Sequence, residues 1–144
     1  MKVLIQRVNS ASLIVDDKVL ANIKKGLLLY VGFEKNDSVE KIRINLKKVL
    51  NYKVFPGTSS KMSKSYLDIS GELMIIPQVT LALDTKKGTK PNFSHAADRD
   101  SSLRMFQAFK QEIKGYNLEG HYGIFGADMT IRSENDGPVT FLFD

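Results

Sequence analysis

Leu27-Leu28-Leu29-Tyr30-Val31-Gly32-Phe33 is apolar without a break, and its pattern decides the architecture. A strand with one wet face alternates apolar and polar residues, whereas an unbroken run suits a strand covered on both faces. The stretch therefore predicts a central strand with other elements packed on either side. Toward the N-terminus, residues 3–8 and 12–15 are rich in Val, Ile and Leu and are separated by Asn9-Ser10. Asp16-Asp17 then offers a tight turn before Lys18-Val19-Leu20, so the opening reads as a β-meander.

Toward the C-terminus, Asp37-Ser38-Val39-Glu40 has the form of a helix start, with Asp37 as the cap and Glu40 reaching back. Val39, Ile42, Leu46 and Val49 follow at helical spacing, and Lys41, Arg43, Lys47 and Lys48 give the helix a basic outer face. Residues 52–55 and 72–79 read as further strands, joined by a Ser-, Gly- and Lys-rich loop over 56–70. A second helix is expected from Asp98 or Asp100, because Leu103, Phe106, Phe109 and Ile113 form one stripe and Gly115 stands at a capping position. Residues 127–131 and 139–143 close the chain as two strands around an Asn135-Asp136-Gly137-Pro138 turn. The expectation is α+β: one domain over residues 1–144, two main helices and a mostly antiparallel sheet.

With 144 residues, 42% of them hydrophobic, the chain can bury a core without a metal or disulfide. It has no cysteine, which excludes disulfides, thiolate nucleophiles and sulfur-ligated metal sites. The apolar run at the start is too short for a signal peptide, and no stretch approaches the ~20 residues of a membrane span, so a cytoplasmic protein without a membrane partner is expected. A formal charge of +5 favours a polyanion partner, although many proteins with that charge bind no nucleic acid.

His95 and His121 are the only histidines. Neither lies in a nucleophile-elbow pattern, and they lack the spacing of metal ligands, so a histidine triad is disfavoured and no metal or other cofactor is expected. Three stretches remain, each with an ordinary reading beside a functional one. Gln78 and Thr80 end an apolar segment, where polar residues usually satisfy backbone groups. Lys86-Lys87-Gly88-Thr89-Lys90 suits a solvated loop, yet Gly beside Lys is also how a backbone approaches phosphate. Gly137-Pro138 reads first as a turn.

Taken together, these motifs resemble the D-aminoacyl-tRNA deacylase family. The resemblance rests on Gln6-Arg7-Val8 with Ala11-Ser12, Val49-Leu50-Asn51-Tyr52-Lys53-Val54-Phe55, Lys61-Met62, Gln78-Val79-Thr80-Leu81, Asp84-Thr85-Lys86-Lys87-Gly88 with Pro91 and Phe93, and Asn135-Asp136-Gly137-Pro138-Val139-Thr140. They occur in family order over residues 2–143. The resemblance implies a barrel-like homodimer that hydrolyses the ester of D-aminoacyl-tRNA, and of mischarged glycyl-tRNA, in translation quality control. Its active sites would lie at the interface, with Gln78 and Thr80 from one chain and Gly137-Pro138, joined by a cis bond, from the other.

Backbone carbonyls of that corner would hold the substrate's α-amino group and leave no room for an L side chain. Backbone N–H groups near Val79 and Thr80 would receive charge from the carbonyl oxygen. The Thr80 hydroxyl would be nucleophile, water-orienter or structural, and the neighbouring ribose hydroxyl is favoured for activating water. Arg7 and Met129 would brace the corner, Phe93 would contact substrate, and Lys86, Lys87 and Lys90 would meet phosphates of the tRNA. Pro77 and Val79 depart from the family's usual Ser and Phe. They leave open a relaxed-chirality deacylase for small L-amino acids, a tRNA-binding protein without catalysis, or an inactive dimer.

Overall fold

The computed structural model describes residues 1–58, 60–84, 86 and 88–144. The two opening runs form one strand, β1 (Lys2–Val15), which continues through Asn9-Ser10. Asp16 and Asp17 both adopt left-handed φ, +48° and +60°, as a two-residue hairpin into β2 (Lys18–Ile23) requires. The decisive apolar run forms β3 (Gly26–Gly32), bonded on one side to β1 and on the other to β4 (Glu72–Pro77). It is central, as its composition predicts.

Helix α1 (Val39–Asn51) follows β3. Its cap is Ser38, whose hydroxyl accepts from the Lys41 N–H at 3.2 Å, and not Asp37. The Asp37 carboxylate is engaged elsewhere, accepting from the Met1 ammonium and pairing with Lys41 Nζ at 3.0 Å. Residues 52–55 are not a strand; only Phe55 forms a bridge, to Lys64. Helix α2 (Arg99–Gly115) starts from the expected cap, Asp98, which accepts from the Ser101 N–H at 2.9 Å. At its other end Gly115 is still helical, and Asn117 takes the left-handed conformation, φ +56°. Asparagine tolerates that region because its short side chain bonds locally.

A short strand, β5 (Gly120–Tyr122), was not legible from its composition. The last strand, β6 (Thr130–Phe143), runs along β1 without a hairpin, so the expected pair of closing strands is one strand.

The six-stranded sheet has the order β2-β1-β3-β4-β5, with β6 on the free side of β1, and it curls nearly into a barrel. It is mostly antiparallel, through the pairing of β1 with β2, β3 and β6, but mixed: β3 pairs parallel with β4, and β4 with β5. Each parallel pair is joined by a helical crossover, which returns the chain to the same end of the sheet.

One face buries Ile42, Leu46, Val49 and Leu50 of α1 and Phe106, Phe109 and Ile113 of α2 against Ile5, Leu27, Leu29 and Ile75. The inner face of the curl holds Val8, Leu13, Ile23, Leu28, Met74 and Ile76. Each such side chain contributes roughly 2 kcal/mol by leaving water. Among the described residues, no helix is long and apolar enough to cross a membrane.

Candidate active site

The site begins where β4 stops. The Gln78 N–H makes the last link to β3, donating to Val31 O at 2.8 Å, after which Val79–Ala82 winds into a 3₁₀ turn. The turn lies directly on Gly32: a Cβ there would meet Gln78 O at 2.7 Å and Leu81 Cβ at 2.9 Å. A larger residue would push Gln78 and its neighbours off the sheet.

Gln78 Nε2 donates to Thr80 Oγ1 at 2.6 Å. An amide nitrogen cannot accept a proton, so this partner does not activate the hydroxyl as a nucleophile. It fills an acceptor position on Oγ1 and leaves the hydroxyl proton to donate outward. The first N–H groups of a 3₁₀ turn lack partners within it, which leaves those of Val79 and Thr80 as donors.

Beside the turn opens a cleft of about 570 Å³, within the range of small-molecule sites. Pro77, Gln78 and Val79 form one wall, and Phe93, Phe125 and Met129 add apolar surface. Tyr30, Arg99, Ser102 and Asp128 supply polar groups. Burial pushes the Tyr30 phenol still further above neutral pH, so that it stands in the cleft as a neutral hydroxyl. Phe93, Val79 and Met129 are thus brought together with Gln78.

Tyr30, Arg99 and Phe125 were missed. Tyr30 had a signal, being the one residue with a polar atom in the run 27–33. Arg99 did not, because a cation in the first turn of a helix reads as solvent-facing.

The second half of the expected site lies elsewhere on the chain. Pairing of β1 with β6 jumps from Val8↔Asn135 to Gln6↔Thr140, so residues 136–139 bulge out opposite Arg7. Gly137 has φ +135°, and its bond to Pro138 is cis. A Cβ on Gly137 would fall 2.6 Å from Val139 Cγ2, so the position requires glycine. Arg7 Nε donates to Asp136 O at 3.1 Å and pairs with Asp136 Oδ2 at 2.9 Å, while Nη1 donates to Val54 O. Arg7 therefore braces the corner within the chain.

Met129 sits in the cleft with Gln78 instead, and Gly137 and Pro138 do not line that cleft. Lys86 lines a separate cleft of about 240 Å³ with Lys2, Glu34, Asp84 and His95. Lys90 is exposed in the adjoining loop, and Lys87 lies outside the described residues. His95 faces Asp84 at 3.7 Å, and His121 is an exposed residue of β5.

The family profile described as D-Tyr-tRNA(Tyr) deacylase matches residues 4–144. The chain is 40% identical to the D-aminoacyl-tRNA deacylase of Thermosipho melanesiensis over 145 residues, which cover all of this chain and 97% of that one. It is 43% identical to the enzyme of the same name from Marinobacter nauticus over 146 residues, covering 100% and 94%. Its fold is similar to that of a solved protein titled c-Myc DNA Unwinding Element Binding Protein, with a TM-score of 0.93, 33% identity and coverage of 100% and 98%. A structure titled as a probable eukaryotic D-amino acid tRNA deacylase matches with a TM-score of 0.85 at 20% identity, covering 99% and 97%.

Proposed function

The chain belongs to the D-Tyr-tRNA(Tyr) deacylase family, and from that premise we propose how its residues carry out the reaction. The activity is hydrolysis of the ester that joins a D-amino acid to tRNA, releasing both. The observation that carries the residue assignment is the 3₁₀ turn at the mouth of the cleft, where Gln78 fixes the Thr80 hydroxyl at 2.6 Å.

In this reading the terminal nucleoside and its aminoacyl group occupy the cleft, with the scissile carbonyl against the turn. Water attacks the carbonyl carbon, and the Val79 and Thr80 N–H groups receive the charge that develops on the oxygen. Thr80 orients water or substrate through its proton, since the Gln78 amide fills an acceptor position on its hydroxyl. Activation of water falls to the ribose hydroxyl next to the ester. Replacement of the terminal adenosine of the tRNA by 2′-deoxyadenosine is therefore expected to lower single-turnover hydrolysis by at least ~100-fold, the scale of a lost acid–base group. Undiminished turnover would return that role to the protein.

The separation of the cleft from Gly137-Pro138 in one chain supports a homodimer in which each corner enters the partner's cleft. There its carbonyls hold the α-amino group and exclude an L side chain. A glycyl ester has no side chain to exclude, so it is a substrate too. Lys86 and Lys90 contact phosphates of the acceptor end, and Lys87, which lies outside the described residues, is assigned the same role from its place in the sequence. Because the substrate is a component of translation, the protein works in the cytoplasm.

A further inference from the structure

The bulge over residues 136–139 has no partners in the β1 ladder, so other contacts must hold it in place. Arg7 holds its entrance through Asp136. Its exit is held by one side chain, Asn135. Asn135 Oδ1 accepts from the Val139 N–H at 2.8 Å, and Nδ2 donates to Val139 O at 3.4 Å and to Thr140 Oγ1 at 3.2 Å. Thr140 Oγ1 is tied in turn to Gln6 Nε2 at 3.4 Å, across the ladder on β1. Between these two anchors Gly137 and Pro138 are exposed.

We propose that Asn135 is a positioning residue that sets the aim of the Gly137-Pro138 carbonyls by clamping both backbone groups of Val139. The inference rests on the reading of that corner as the discriminator of D from L. Chirality read by backbone atoms tolerates little displacement, since a shift of about 1 Å opens room for the wrong side chain. A clamp on the residue immediately after Pro138 restricts such a shift, which solvent contacts could not do. Asparagine suits the role because one planar amide offers an acceptor and two donors. Alanine removes all three bonds, whereas aspartate keeps the acceptor for Val139 N–H but sets a carboxylate oxygen against Val139 O, which can only accept.

The test uses the whole protein with Asn135→Ala and Asn135→Asp, and reads two quantities: amide exchange at Val139, and the ratio of D-tyrosyl- to L-tyrosyl-tRNA hydrolysis. The alanine variant is expected to speed exchange and to lower the D/L ratio by about tenfold each, the scale of a lost hydrogen bond, while D-ester kcat changes much less. The aspartate variant is expected to fall between alanine and the wild type, and it carries the test if the alanine variant does not fold. Unchanged exchange at Val139 overturns the clamp, and faster exchange with an unchanged D/L ratio overturns its link to chirality. A wild type that cleaves both esters alike overturns the underlying reading of the corner instead, and exchange alone then judges the clamp.

Discussion

Arg7 shows how much of the site depends on single side chains. Arg7, 8% exposed, joins the bulge at Asp136 to the backbone at Val54, just after α1 in the sequence. Arg7→Ala leaves the Asp136 carboxylate and two carbonyls without their donor. Asp136 is 32% exposed, so water recovers part of the loss, and the expected cost is about 2 kcal/mol rather than the 3–5 of a fully buried pair. Urea unfolding measures it, and the same variant is expected to lose D/L selectivity. A stability change below about 0.5 kcal/mol, the level of an ordinary surface substitution, would mean that the corner does not depend on Arg7. Gln78 and Thr80 were legible as a motif, but their mutual hydrogen bond was not, because two polar residues flanking Val79 read equally well as backbone caps. Asp136 was likewise legible only as a turn residue and Val139 only as the start of a strand, since the bulge exists only once β1 and β6 are paired.

At the scale of elements, periodicity located both helices and the central strand, while the boundaries followed competition between nearby groups. Ser38 caps α1 because the Asp37 carboxylate has stronger partners, Lys41 and the Met1 ammonium. The two parallel pairs within the mostly antiparallel sheet were not legible, because hydrophobic pattern sets which face of a strand is buried but not its direction, which here follows from the two helical crossovers. Strand β5 has three residues, one of them glycine, too few for any pattern.

Asp98 gives a prediction at this scale. The Ser101 N–H holds its carboxyl below the usual carboxylate range. Its contribution is therefore present above its unfolded pKa, near ~4, and is lost as pH falls through the depressed folded value. Asp98→Ala is expected to lower the thermal midpoint at neutral pH by about 3 °C. Asp98→Asn keeps a capping oxygen but cannot titrate, so its midpoint is expected to fall less steeply below pH ~4. Melting curves recorded across that range check both outcomes, and parallel acid limbs for wild type and Asp98→Asn would contradict the assignment.

For the whole molecule, the two halves of the proposed site belong to different regions of one chain, and in the proposed homodimer a second copy joins them. Thr80→Val with Gln78→Ala disables the cleft, and Gly137→Ala disables the corner, so neither protein alone is expected to hydrolyse the D-ester efficiently. Mixed and allowed to exchange subunits, they form heterodimers with one intact composite site each, and about a quarter of wild-type activity returns if exchange is random. No recovery, despite heterodimers observed by native mass spectrometry, would place the whole site within one chain. The central claim is narrower still, that this protein removes D-amino acids from tRNA and spares their mirror images although Pro77 and Val79 line the cleft. Its most direct test follows the ester remaining on matched D-tyrosyl-, L-tyrosyl- and glycyl-tRNA after addition of the purified protein. Rapid loss of the D and glycyl esters with the L-ester intact is expected, and equal loss of the D- and L-esters, or of neither, would contradict D-specific deacylation.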